Sequence, residues 1–500
     1  MAGQKTQSGA IASTGENYFE QRELKKGAAG WILLSFLGVA YVISGDFAGW
    51  NFGIEKAGWG GLLVATVLMA VMYTSMVLSE AELSTIIPSA GGGYGFARRA
   101  FGPLGGYMTG VGILFEYCIA PAAIVCFIAG YCTSLFGPDG SLMVYVPVSM
   151  QDVVTMTLGG TWITKMLFYV LFVGVHLFGV GEALTLCMII TVIAVAALVA
   201  FILSMIPHFE PANLFDIAPK ENVAGASTFL PYGWMGVWAA LPFGMWFFLG
   251  VEGIPLAAEE CEDPTKDMPK AIITAMVTLL IFAGLILVFG PAGSSANLIK
   301  DAADPLIGAI QSPNAYGGPT FVSRLINVVG LAGLVASFFS LIYGASRQFF
   351  ALSRAGYLPT FLSLTGHRKT PYVALMAIGI LGFLLSLVVD GDSLLVIAVF
   401  GASISYVLMT ASHFVLRIKE PDLKRPYKTP GGKFTSGISV ILGCFAFVAC
   451  FLANAKMTCI AALIYAAFLL YFLLYSRRHL IANAPEEEFA AISAAEEGLN

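Results

Sequence analysis

"YVISGDFAGW", Tyr41 to Trp50, lies inside an apolar run long enough to cross a bilayer and interrupts it with Ser44, Gly45, Asp46 and Gly49. A second run, "ALPFGMWFFLGVEGIPLAAEE" from Ala240 to Glu260, repeats the plan with Gly250, Glu252, Gly253 and Pro255. Gly and Pro weaken a helix where they stand. Unwound backbone is tolerated at membrane depth only where it lines a cavity or is buried in protein. Two such breaks, each beside a carboxylate and in corresponding halves of the chain, point to an inverted-repeat carrier with discontinuous helices. The half-helices at a break present unbonded N–H groups on one side and carbonyls on the other, so both ends can hold a ligand. Substrate contacts are therefore expected at Ile43, Ser44, Gly45, Asp46 and Phe47, and at Phe247, Phe248, Gly250 and Glu252. A glycine kink made for packing alone is the competing reading.

Composition agrees with a hydrocarbon solvent. Of 500 residues 58% are hydrophobic and 11% charged, against about 25% charged in soluble chains. Twelve apolar stretches approach the ~20 residues a spanning helix needs. They start near Ala28, Trp59, Phe101, Thr161, Glu182, Tyr232, Lys270, Phe321, Pro371, Asp392, Phe434 and Met457. Residues 1 to 27 lack the make-up of a cleaved signal peptide. With the N-terminus inside, all of the 26 Lys and Arg fall in cytoplasmic segments except Lys56, Lys165, Lys220, Lys300, Arg324 and Lys456. Such an excess orients a chain positive side in. The expectation is an all-α, multi-pass protein of the cytoplasmic (inner) membrane, both termini cytoplasmic. Its expected parts are tails at 1–27 and 477–500 and one membrane domain over 28–476. The loops near 136–160, 207–231 and 293–321 would be external.

Three carboxylates stand away from the span ends: Asp46, Glu116 and Glu252. A charge at the centre of a helix costs about 2.5–3.5 kcal/mol on insertion scales, so it persists with a partner or a cavity. No Lys or Arg occupies a comparable position. The compensating charge is then a proton, a metal ion or a substrate ammonium. A protonated or hydrogen-bonded structural group is the alternative for each.

The motifs around these residues carry a resemblance. "LSEAELSTIIPSAGGGYGFARRAFGP" (Leu78 to Pro103), "FFLGVEGIPLAAEECEDPTKDMPKAI" (Phe247 to Ile272), "SRQFFALSRAGYLP" (Ser346 to Pro359) and "LRIKEPDLKRPYKTP" (Leu416 to Pro430) follow in order. In these motifs the chain resembles the amino acid–polyamine–organocation transporters, from about Gly27 to Arg478. The resemblance implies the leucine-transporter-type fold: twelve transmembrane helices, with inverted five-helix repeats over about 28–206 and 232–416 and two additional helices over 434–476. Within that superfamily "AYVISGDFAGWNFG" (Ala40 to Gly53) looks most like the bacterial ethanolamine permeases.

Amino-acid carriers of this type usually follow a Gly-Ser-Gly-like turn, which holds the substrate carboxylate, with an apolar residue. Here Asp46 stands in that place. It would repel an α-carboxylate by roughly 4 kcal/mol at 4 Å in an effective dielectric of 20, and would attract an ammonium. The expected activity is import of ethanolamine or a close amine by alternating access, with a cationic amino acid or polyamine transporter or exchanger as the alternative. Many proton-coupled relatives carry a fifth-span Lys where "CMIITVIAVAAL" has Ala194. Coupling to H+ would then fall to Glu116 or Glu252, while Ser337 and Ser340 are candidate Na+ ligands. Phe248 is the candidate gate, and Ser403, Ser405 and Tyr406 are candidate hydroxyl partners. Glu259, Glu260, Glu262, Asp263 and Asp267 could close an inner gate with Arg98, Arg99, Arg347 or Arg354.

No His or Cys spacing suits a metal, no catalytic motif appears, and no basic-aromatic pattern suits nucleic acid. The chain is therefore expected to be no enzyme and to need no cofactor. A channel is disfavoured because no repeated pore loop is visible.

Overall fold

A computed structural model describes residues 24, 27, 29–89, 91–136 and 162–481. Most of the expected tails, and nearly all of the 136–160 loop, lie outside the described residues. The helices, in order, are α1 Trp31–Val42, α2 Ser44–Phe47, α3 Phe52–Ser84, α4 Gly93–Phe136, α5 Trp162–Phe178, α6 Val180–Met205 and α7 Gly233–Trp246. A 3-10 segment, Val251–Glu260, follows α7. Then come α8 Pro264–Ala292, the short α9 Ala296–Ile299 and α10 Pro305–Gln311, α11 Phe321–Arg354, α12 Tyr372–Val388, α13 Gly391–Lys419, α14 Lys433–Ala453 and α15 Ala455–Leu474.

Nine helical runs among the described residues are long and apolar enough to cross a membrane, and three more, Trp31–Phe47, Trp162–Phe178 and Tyr372–Val388, are apolar but no longer than 17 residues. Together they overlie the twelve apolar stretches of the sequence. The only extended pairing among the described residues is a single parallel bridge, Ala29 with Cys261. All eight cysteines are free.

Within α3 the chain turns at Gly58, φ 71°, beside the expected start of the second run near Trp59. Likewise α4 turns at Gly102, φ 77°, beside the expected start near Phe101. The seventh run begins at Pro264 rather than near Lys270. Asp263 caps it by accepting from the Thr265 N–H at 3.2 Å, and Pro264 supplies the preset φ of a first helical turn.

The interior packs Tyr41, Trp50, Tyr73, Tyr117, Phe247, Tyr343 and Tyr406 among the helices, all buried. Large apolar side chains such as Val170, Ile281, Leu384 and Leu463 lie exposed on the outside. In water so much exposed apolar surface would be a liability; facing lipid it is what a spanning helix requires.

Candidate functional site

The first break is made by a side chain entering the helical ladder. Ile43 still donates to the Val39 carbonyl at 2.9 Å. The Ser44 N–H instead donates to the Ser337 hydroxyl at 2.9 Å, and that hydroxyl donates to the Ala40 carbonyl at 2.6 Å. One oxygen from α11 thus replaces the bond between Ser44 and Ala40, which is a recognised way to interrupt a helix. Beyond it, a Cβ on Gly45 would sit 2.5 Å from the Trp246 carbonyl oxygen, so only glycine allows this approach. Tyr131 donates to the Phe47 carbonyl at 2.8 Å, and the Trp246 indole donates to the Ala48 carbonyl at 2.9 Å.

Asp46 follows Gly45 and is buried. Neither of its carboxylate oxygens has a hydrogen-bond partner among the described residues.

The second break lies over Phe247–Gly250, between α7 and the 3-10 segment. Gly250 turns the chain with φ 103°. Tyr117, on α4, donates within reach of both the Gly250 carbonyl and Glu252 Oε1, each at 3.0 Å. The sequence reading expected α-helix to resume after Gly250; Gly253 and Pro255 give a tighter 3-10 form instead. The Gly45–Trp246 approach brings the two breaks, some two hundred positions apart in sequence, against each other.

Glu116 and Glu252 form a second carboxyl site. Tyr117, next in the chain to Glu116, donates to Glu252 Oε1, and Tyr406 donates to Glu116 Oε1 at 2.8 Å, while the Oε2 atom of each has no hydrogen-bond partner among the described residues. Two buried carboxyls with no cation bound to either among the described residues favour holding a proton. Tyr73 packs edge-on to Tyr406, centroids 5.3 Å apart, and Phe248 tilts against Tyr73 at 5.5 Å. Phe247 stacks on Trp50 at 5.7 Å.

The remaining hydroxyl candidates are engaged. Ser340 bonds to the Ala336 and Ser337 carbonyls of its own helix. Ser403 and Ser405 bond back to the Phe400 and Ala402 carbonyls. Among the described residues no group of three or more His, Cys, Asp or Glu is disposed to hold a metal ion.

Two of the expected inner-gate pairs form. Glu260 binds Arg347 at 2.8 Å, both buried, and also accepts from Tyr343, whose ring lies 3.7 Å from the Arg347 guanidinium carbon. Glu259 binds Arg354 at 2.5 Å. Arg98 instead donates to Tyr94 at 3.0 Å and lies over the Tyr357 ring. Arg99 binds Glu420 at 2.6 Å, and its hydrogen bonds hold the Glu420 carboxyl below the usual carboxylate range.

Comparison with known proteins agrees with this architecture. A family described as "Amino acid permease" matches residues 32–488. An uncharacterized transporter of Rhizobium meliloti (strain 1021) is 28% identical over 83% of this chain and 85% of its own length. The branched-chain amino acid permease BcaP of Bacillus subtilis (strain 168) is 26% identical over 95% of this chain and 97% of its own. The lysine-specific permease LysP of Lactococcus lactis subsp. cremoris (strain MG1363) is 25% identical over 87% and 84%.

Proposed function

The chain belongs to the amino acid permease family, a family of membrane transporters and not enzymes, and from that premise we propose that it imports ethanolamine or a closely related small amine by alternating access. The observation that carries this reading is Asp46, a buried carboxylate without a hydrogen-bond partner among the described residues, immediately after the residue at which the two helix breaks touch. A substrate ammonium would be its missing cation. An α-carboxylate would meet repulsion there. Recognition would use the backbone of Ile43–Phe47 and Phe247–Gly250, with the surrounding aromatic rings favouring a cation.

The proposed architecture is twelve spans with both termini cytoplasmic, and inverted repeats over about 28–206 and 232–416 followed by two further helices over 434–476. Its support is the pair of matched breaks meeting at the centre. For coupling we propose H+, carried by Glu116 and Glu252, because two buried carboxyls with no cation bound to them among the described residues favour holding a proton. The Ser337 and Ser340 hydroxyls, each bonded to backbone, favour Na+ less.

A second reading, a cationic amino acid or polyamine carrier, draws support from the similarity to LysP and to cationic amino acid transporter 9 of Arabidopsis thaliana. Proteoliposome uptake of radiolabelled ethanolamine, lysine, putrescine and leucine, with proton and sodium gradients varied separately, tests both. Accumulation of ethanolamine above the others supports the first reading; accumulation of lysine or putrescine with ethanolamine excluded replaces it with the second. Under proton coupling, Glu116→Gln or Glu252→Gln should abolish the response to a pH gradient. A full response in both variants would remove these acids from the coupling mechanism.

A further inference from the structure

Two glutamates on α3 stand two residues apart and meet opposite surroundings. Glu82 accepts from Arg417, from the Thr429 N–H at 2.7 Å, and has Arg425 at 2.9 Å and His413 at 3.2 Å. This is how the fold treats a structural carboxylate. Glu80 is equally buried, yet neither of its oxygens has a partner among the described residues. Buried polar groups are paired in the great majority of cases, so an empty carboxyl asks for a reason, and an ionisable group in a membrane span marks an ion or substrate path by default.

α3 packs against the 3-10 segment that carries Glu252 and against α13 that carries Tyr406. Tyr73 stands seven residues earlier on the same helix. Seven residues are about two helical turns, or ~10 Å, so Tyr73 and Glu80 share a face. Tyr406, from α13, donates to Glu116 and packs on Tyr73. Titratable groups thus run along α3 from Tyr73, linked through Tyr406 to Glu116, to Glu80, toward the end that the charge distribution assigns to the cytoplasm.

We infer that Glu80 is the exit station for the coupling proton: it releases its own proton to cytoplasmic water and is refilled from the Glu116–Glu252 pair. In the refilling step the O–H bond of a pair carboxyl breaks and an O–H bond to Glu80 forms; no other bond changes. The inference rests on the proton-coupled reading above. It predicts a separation between two transport modes. Net uptake driven by a pH gradient requires proton release in every cycle. Exchange of labelled for unlabelled substrate does not, because the carrier can return with its proton in place.

The test uses full-length protein in proteoliposomes and whichever of radiolabelled ethanolamine, L-lysine or L-leucine the wild-type protein accumulates. Glu80→Gln and Glu80→Met should both fold, since nothing among the described residues donates to the carboxyl. Each should lose at least tenfold of the gradient-driven uptake while keeping exchange within about twofold of wild type, and Glu80→Asp should recover most of the loss. Unchanged net uptake in both neutral variants would overturn the assignment. So would equal loss of uptake and exchange at unchanged melting temperature, which would mark a binding residue, or collapse of the fold in both, which would mark a structural one. Wild-type uptake indifferent to the pH gradient would instead overturn the proton-coupled reading, and this inference with it.

Discussion

Ser337 and Ser340 sit one helical turn apart on α11 and do different work. The Ser337 hydroxyl bridges the Ser44 N–H and the Ala40 carbonyl, whereas Ser340 bonds only within its own helix. Ser337→Ala should let Ser44 and Ala40 bond directly, closing the first break. Substrate affinity should fall about tenfold, which is ~1.4 kcal/mol, with little change in melting temperature; Ser340→Ala should alter neither. Equal effects of the two substitutions in a binding assay would contradict this. Asp46→Asn should reduce ethanolamine affinity by roughly two to three decades, since breaking a buried ion pair costs about 3–5 kcal/mol. The amide keeps the shape and Asp46 has no hydrogen-bond partner among the described residues to lose, so melting should be unaffected; near-normal affinity in a stable variant would refute the contact. Asp46, Glu116 and Glu252 were legible in the sequence because a charge inside an apolar run stands out. Glu80 was not, since it lies one turn from the helix end, where carboxylates are usually solvated. Nor was the meeting of Glu116 with Glu252, which depends on how α4 packs against the 3-10 segment.

At the scale of elements, two helix interruptions stand in direct contact. Gly250 has φ 103°, in the region where a side chain costs about 1–2 kcal/mol. Gly45 lies where a Cβ would press on the Trp246 carbonyl at 2.5 Å, a backbone atom that cannot swing aside. Gly45→Ala should therefore abolish uptake and lower the melting temperature by several degrees, and Gly250→Ala should do the same to a smaller extent. Gly174→Ala on α5, where nothing lies within 4 Å of the added carbon, should change neither and serves as the control. Uptake retained in Gly45→Ala would contradict the close approach of the breaks. The position of both breaks was readable because Gly, Ser and Pro interrupt apolar periodicity. The 3-10 form of Val251–Glu260 was not, because its apolar pattern is shared by a short α-helix.

At the scale of the whole molecule, Glu260–Arg347 and Glu259–Arg354 tie the segment after the second break to the end of α11. The Ala29–Cys261 bridge ties the approach to α1 onto the same segment. Alternating access would have to loosen these ties on one side. Arg347→Gln leaves Glu260 buried without its cation, which costs about 3–5 kcal/mol. Adding Glu260→Gln removes that charge, so the double variant should melt above Arg347→Gln alone; strictly additive destabilisation would show that the two groups do not interact. The apolar stretches and the acidic–basic complement of this gate were visible in the sequence. The choice of partners was not: Arg98 turns to Tyr94 and Arg99 to Glu420 because packing, not charge alone, decides which pairs come within reach. Competition tests most directly the proposed recognition of an amine without an α-carboxylate. Uptake of radiolabelled ethanolamine into proteoliposomes should be suppressed by unlabelled ethanolamine at concentrations at least tenfold below those at which serine, alanine or leucine act, and equal or stronger suppression by any of these amino acids would contradict it.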